Sequence, residues 1–189
     1  GRYATNPISI GMPKNDGDSL IFDAATSKLA EGKVKVALNK GSKLPPDTLL
    51  DSSGTPTRNP AALYTEPRGA LMPMGEYKGS GLAIMTDLLA GAIGGGGCHA
   101  PGVTALSNGM LSFLVDPGVF ADREFVDSET DKFSDWVRQT VPADLDYPVQ
   151  LPGDPERKSE TELRKHGITL DDSTWQQIVS TAEDLGVTP

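Results

Sequence analysis

One helix governs how this chain can fold. Leu82, Ile84, Met85, Leu88, Leu89, Ala92 and Ile93 recur at helical spacing, and Gly94-Gly95-Gly96-Gly97 stops the run. The run is apolar on most faces, so it predicts a helix buried at the centre of the fold. Its start is marked as plainly as its end, by Gly75 and then Lys78-Gly79-Ser80-Gly81. A helix N-terminus carries unpaired N–H groups and a partial positive charge, and so attracts anions. Glycines let a ligand approach the backbone, and a lysine adds a point charge suited to phosphate. By itself the fragment also fits an ordinary glycine-rich helix start with a solvated lysine. The glycine run lies at the helix C-terminus, where the dipole repels anions, and reads as a turn.

Around this helix the chain alternates between short strands and helices. Ile8 to Gly11 and Ser19 to Asp23 read as two strands separated by a polar turn, Pro13 to Asp18. Thr26 or Ser27 is placed to cap a helix through Leu29, Val34, Val36 and Leu38, closing near Gly41. Residues 42–73, rich in proline, glycine and polar side chains, predict a loop-rich surface excursion. Leu111 to Asp116 reads as a strand stopped by Pro117. Glu129 to Val141 predicts an amphipathic helix with Phe133, Trp136 and Val137. Ser159-Glu160-Thr161-Glu162 fits a capping box for a short helix ending at His166-Gly167, and Asp172 or Ser173 caps a last helix. This mixture without regular βαβ units indicates an α/β fold, a mixed and largely antiparallel sheet packed with helices. A length of 189 residues is that of one domain.

Composition excludes several classes of function. The formal charge of −9 argues against nucleic acid as a partner, since that binding needs clustered Lys and Arg. One cysteine, Cys98, rules out a disulfide framework and a cysteine-rich metal site. No apolar run reaches the length of a membrane span and no signal peptide is evident, so the expected location is cytoplasmic. No metal-ligand spacing is present: Asp16 and Asp18 lack the other positions of a calcium loop.

Three segments then agree in order and spacing. They are Arg2-Tyr3-Ala4-Thr5-Asn6-Pro7-Ile8-Ser9-Ile10-Gly11, Leu20-Ile21-Phe22-Asp23-Ala24-Ala25-Thr26-Ser27, and Tyr77-Lys78-Gly79-Ser80-Gly81-Leu82. Together they resemble the type-2 malate/L-lactate dehydrogenase family, NAD(P)-dependent 2-hydroxy-acid oxidoreductases whose fold is not the Rossmann fold. The resemblance continues through Leu114-Val115-Asp116-Pro117, Leu151-Pro152-Gly153-Asp154-Pro155-Glu156 and the helix at Trp175-Gln176-Gln177. A Rossmann fingerprint is lacking, because Gly79-Ser80-Gly81 has no third glycine and follows a loop.

The resemblance implies that the cofactor, NAD or NADP, is held by Asp23, Ala24, Ala25, Thr26 and Ser27, by Lys78 and Gly79, and by Pro152, Gly153 and Asp154. It places Thr5 and Asn6 near the nicotinamide and substrate. Read without it, Asp23 and Ser27 are turn and cap residues, Thr5-Asn6-Pro7 is an Asx-type turn before a strand, and Pro152-Gly153 is a plain turn. At residue 154 an aspartate stands where the family more often has glutamate, a side chain one carbon shorter. Arg157 and Lys158 add charge nearby.

Reduction of a 2-oxo acid needs a proton donor and a cation for the substrate carboxylate. The only histidines are His99, in the loop after the glycine run, and His166, at a helix end that suits its charge. Neither matches a catalytic motif of the family, whose catalytic histidines and carboxylate-binding arginine lie upstream of Thr-Asn-Pro. The chain therefore reads as a C-terminal portion: residues 1–120 a cofactor-binding core, residues 121–189 the C-terminal helices and a cofactor-closing loop, inactive alone. The implied partners are the N-terminal half of the same enzyme, a small 2-oxo or 2-hydroxy acid, and a second subunit in a homodimer. The alternatives are reduction of a cyclic imine by the same half-site, and a non-catalytic scaffold.

Overall fold

The structure is a computed structural model that describes residues 1, 4–15, 17–102 and 108–187. Arg2 and Tyr3 of the opening motif, and Asp16 of the first polar turn, lie outside the described residues. The chain divides into two compact units. The first comprises Gly1–Ile8, Ala25–Leu111 and Thr169–Pro189, the second Ser9–Ala24 and Ser112–Ile168. The architecture is the expected mixture of helices with small sheets.

The first unit is built on a core of Val34, Leu44 and Leu49, all fully buried, with Leu29, Ala37, Leu63 and Leu71 packed against it. Val34 comes from helix α1 (Glu31–Asn39), whereas Leu44 and Leu49 come from the stretch expected to be a surface excursion. That stretch forms a three-stranded antiparallel sheet in the order β4-β3-β5, from β3 (Leu49–Leu50), β4 (Pro56–Thr57) and β5 (Ala70–Leu71). Leu49 stands opposite both Thr57 and Leu71. Two-residue strands are too short to show a period, so isolated leucines among prolines hid a core.

The cap expected from Thr26 or Ser27 is not made. Helix α1 follows Ala30, which has no side-chain capping bond, and it closes at Lys40 before Gly41 at φ 61°. The final helix, α5 (Asp172–Asp184), is capped one residue earlier than expected, by Asp171. That carboxylate accepts from the Thr174 N–H at 2.9 Å and the Thr174 hydroxyl at 2.8 Å. Asn39 donates to the same hydroxyl at 3.1 Å and ties α5 to α1.

Helix α2 (Tyr77–Asp87) continues as a π turn over Leu88–Ile93. It is not buried on all sides. Its packed face consists of the small residues Gly79, Ala83 and Gly91, and Tyr77, Ile84, Met85, Leu88 and Ile93 are exposed. An apolar pattern requires that something cover a face; it does not require that this chain do so.

In the second unit, β1 (Ile8–Met12) pairs with β2 (Leu20–Ala24), close to the expected bounds. Helix α3 (Arg123–Arg138) begins well before Glu129 because Asp122 caps it, accepting from the N–H groups of Glu124 and Phe125. Helix α4 (Asp154–His166) likewise begins before the expected capping box. Pro155 sits in its first turn, where a missing N–H costs nothing. Leu111–Asp116 is not a strand: among the described residues no strand pairs with it. Asp116 instead caps a short 3-10 turn, Pro117–Val119. No helix among the described residues is long and apolar enough to cross a membrane.

Candidate functional site

The start of α2 is anchored from both sides. Segment Thr26–Lys28 bridges to Met72–Met74, with the Met74 N–H donating to the Thr26 carbonyl at 2.9 Å and the Lys28 N–H to the Met72 carbonyl at 2.8 Å. The Thr5 carbonyl accepts both the N–H and the hydroxyl of Thr26, each at 3.0 Å. Asn6, held at φ 41°, donates through Nδ2 to the Ala83 carbonyl inside α2 at 2.9 Å. Thr5, Asn6, Thr26, Ser27, Lys78 and Gly79 thus belong to one hydrogen-bonded region of the first unit, which also contains Ala25.

Within it the hydroxyls expected to face a ligand are engaged internally. Thr26 is 1% exposed and bonded to Thr5; Ser27 is buried and donates to the Leu29 carbonyl at 2.8 Å. The backbone amides of the helix start are mostly engaged as well. The N–H of Lys78 donates to Gly75 at 3.1 Å, that of Gly79 to Met74 at 2.8 Å, and that of Ser80 to Glu76 at 3.2 Å.

Gly79 has a reason of its own. A Cβ there would lie 2.2 Å from the Met74 carbonyl oxygen and 2.6 Å from that of Thr26. The glycine seats the first turn of α2 directly on the Thr26–Met74 bridge. Glu76, at φ 55° and ψ −116°, precedes the helix without a side-chain capping bond, a costly conformation that the surrounding bonds impose. What remains on the outside is Lys78. Its side chain is exposed, and its ammonium meets no carboxylate or other acceptor among the described residues. The positive charge presented at this helix start is therefore this ammonium together with the helix dipole, rather than a cradle of amides.

The second unit carries Asp23, Ala24, Pro152, Gly153 and Asp154. Gly153, at φ 97°, precedes α4, and the Pro152 carbonyl accepts from the Ile21 N–H of β2 at 3.3 Å. Asp154 is a hub. It accepts from Arg157 at 2.6 Å, from Arg138 at 3.0 Å and from the Leu151 N–H at 2.8 Å. Burial pushes its carboxyl upward, but the Leu151 N–H and the two guanidiniums outweigh this and hold it below the usual carboxylate range. The shorter acid thus makes close contacts within the turn. Arg157 also donates to the Ser19 carbonyl at 3.0 Å and so locks the turn to β2; its charge is used here. Asp23 is exposed and without a partner among the described residues.

His99 lies beyond the far end of α2. Its Nδ1 sits 2.8 Å from Asp87 Oδ1, and its N–H donates to Oδ2 at 3.2 Å. Some 14 Å of helix axis separate Asp87 from Lys78. His166 is exposed beside Glu162 at the end of α4. Sequence reasoning missed the Asp87–His99 pair because the two residues meet only through the glycine turn. A shallow groove along α4, lined by Pro155, Ser159, Leu163 and Ile168 among others, contains none of the residues expected to hold the cofactor. Among the described residues no three His, Cys, Asp or Glu side chains are placed to hold a metal.

A profile of the malate/L-lactate dehydrogenase family matches residues 1–179. Hydroxycarboxylate dehydrogenase B of Escherichia coli (strain K12) is 37% identical over 98% of this chain and 52% of its own length. A Δ1-pyrroline-2-carboxylate/Δ1-piperideine-2-carboxylate reductase of Pseudomonas syringae pv. tomato is 33% identical over 89% of this chain and 48% of its own. A structure of an Escherichia coli protein assigned to the malate/lactate dehydrogenases superposes with TM-score 0.82 at 35% identity, covering 99% of this chain and 53% of that one. The chain spans about half the length of the relatives it matches.

Proposed function

Because the chain belongs to the malate/L-lactate dehydrogenase family, we propose that it is the dinucleotide-holding part of an oxidoreductase that interconverts 2-oxo and 2-hydroxy acids. The supporting observation is the uncompensated ammonium of Lys78 at the start of α2, fixed by the bonds of Thr5, Asn6 and Thr26. An exposed cation without a counter-ion suits a pyrophosphate, the most highly charged part of NAD or NADP.

When bound, the dinucleotide supplies or accepts a hydride at C4 of its nicotinamide. This chain's residues bind and orient it. Lys78 neutralises phosphate, and Gly79 sets how far the ammonium stands from the Thr26 turn. Thr26 and Ser27 act as supports, their hydroxyls being used internally. Thr5 and Asn6 stand toward the nicotinamide and substrate. Asp23 and Ala24 on β2, with the Pro152-Gly153-Asp154 turn locked to that strand, form a second cofactor contact, assigned from the motif. Residues 1–120 are the larger share of this binding part, and residues 121–189 bring the closing turn. The proton donor and the cation for the substrate carboxylate come from the family's polypeptide beyond the matched half.

A second reading has support of its own. The Pseudomonas syringae relative reduces the C=N bond of a cyclic 2-carboxylate, so the same half-site would serve an imine. Both substrates place a carboxylate beside the carbon that takes the hydride. The test is a nicotinamide fluorescence titration of the enzyme in which this chain accompanies the rest of the family's polypeptide. Lys78→Met should weaken cofactor binding about tenfold or more, and Lys78→Arg by much less. Superimposable titration curves for wild type and Lys78→Met would reject the assignment.

A further inference from the structure

One carboxylate grips the turn before α4. Both oxygens of Asp154 are occupied: Oδ2 accepts from the Leu151 N–H at 2.8 Å, and Oδ1 from Arg157 at 2.6 Å and Arg138 at 3.0 Å. That uses three of the roughly four acceptor positions of an ionised carboxylate. The Asp154 N–H returns a bond to the Leu151 carbonyl at 3.0 Å, so the turn closes on itself. Gly153 completes the grip. A Cβ there would lie 2.7 Å from Arg157 Nη1, so the guanidinium packs directly against the glycine. Leu151 and Gly153 are buried, and Pro152 is exposed. The Asp154 side chain is therefore engaged inside the turn, and Pro152 with the backbone beside it is what the turn offers a ligand.

The two arginines differ in origin. Arg157 lies one turn from Asp154 on the same helix, so their bond follows from the register of α4. Arg138 is the last residue of α3, and residues 139–150, which run between it and the turn, form no helix or strand. Helix α3 has its own hold on the turn between β1 and β2, with Lys14 Nζ 3.8 Å from Asp131 Oδ1. The helix dipole favours an arginine at a C-terminus wherever its side chain points. It does not explain the aim of Arg138, whose Nη2 meets an aspartate side chain that is only 18% exposed.

We propose that Arg138 is a positioning residue for the dinucleotide. It braces the Asp154 carboxylate from a separate element, and so holds the Pro152-Gly153 turn in its cofactor-contacting place. The inference rests on the reading of this turn as a cofactor contact. Arg138 itself is half exposed, so its bond acts as a partly solvated ion pair, setting about fivefold in cofactor affinity.

The test is a fluorescence titration with NADH and NADPH, joined to steady-state kinetics, of the enzyme in which this chain accompanies the rest of the family's polypeptide. Arg138→Met should raise the Kd and KM for the cofactor about fivefold, with kcat changed less than about twofold. Arg138→Lys, which keeps the charge, should stay within about twofold of wild type. In an Asp154→Asn background Arg138→Met should change little further, because the charge pair it removes is already gone. Without cofactor, Arg138→Met should quicken amide exchange at Leu151 and Ile21 and leave helix content by circular dichroism unchanged. Arg138→Met that binds cofactor as wild type does, beside a weakened Lys78→Met, would overturn this proposal and leave the cofactor site standing. So would an equal loss from Arg138→Met in the wild-type and Asp154→Asn backgrounds. A silent Lys78→Met beside the fivefold loss in Arg138→Met would support the brace and reject the phosphate assignment. A wild type that gives no titration would overturn both.

Discussion

Gly79 and Gly81 lie two residues apart in one helix, and substituting alanine at each should have opposite effects. At Gly79 the new methyl would sit 2.2 Å from the Met74 carbonyl oxygen and 2.6 Å from the Thr26 carbonyl oxygen, where ordinary contact starts near 3.4 Å. Both obstacles are backbone, so relief requires α2 to lift from the bridge. Lifting stretches the Gly79-to-Met74 and Met74-to-Thr26 hydrogen bonds, each contributing about 1 kcal/mol. Residual strain adds about 1–2 kcal/mol, and the better helix propensity of alanine returns about 1 kcal/mol. The net loss for Gly79→Ala is about 2–3 kcal/mol. At Gly81 nothing lies within 4 Å of the new methyl, so the propensity gain stands alone and Gly81→Ala stabilises by about 1 kcal/mol. Trp175 is the tryptophan of the first unit, so urea unfolding followed by fluorescence in a Trp136→Phe background reports on this unit. Cofactor affinity should fall in Gly79→Ala and hold in Gly81→Ala. Equal shifts in the two unfolding midpoints, or a tolerated Gly79→Ala, would refute the packing account of Gly79.

Other consequences are smaller. Asn6→Ala should cost about 2 kcal/mol, from the lost bond to Ala83 and from a left-handed φ; Asn6→Gly, which keeps the φ, should cost about half that in the same unfolding assay. Asp154→Asn should loosen the turn before α4 by about 1–2 kcal/mol, read as faster amide exchange at Leu151. The folded carboxyl of Asp154 is depressed, so its contribution is complete above the unfolded value near 4 and disappears as pH falls through the folded value. The wild type's advantage over Asp154→Asn should therefore be full at neutral pH and shrink in acid. Asp87→Asn should release the loop held by His99, measured as quicker proteolysis at Gly94–Gly97 with α2 intact.

Much of the framework was legible in the sequence because local patterns carry it. The apolar period of α2, the two strands around the first polar turn, and the helix carrying Trp175 all needed only neighbours within a turn or a pleat. The misreadings share one cause. Leu111 to Asp116 alternates as a strand should, but a strand exists only where a partner bonds to it. Leu44 and Leu49 are core because β3 and α1 meet, which no local period records. At the site, motif order singled out Thr26, Ser27 and Asp154, but it does not record that their side chains are engaged internally, by Thr5, Leu29 and the Leu151–Arg157 turn with Arg138. Lys78 stands apart because nothing in the described structure neutralises it. Phe133 and Trp136, exposed on α3, show the same limit: the pattern reveals a face to be covered and leaves its orientation to tertiary contacts.

The central claim is that a dinucleotide phosphate rests against the Lys78 ammonium at the start of α2. A structure of the enzyme with NAD or NADP bound tests it most directly. The account predicts Lys78 Nζ about 2.7–2.9 Å from a phosphate oxygen, with the Thr5, Asn6 and Thr26 bonds unchanged. A bound dinucleotide whose phosphates lie against other elements, with the Lys78 ammonium still in solvent, would contradict it.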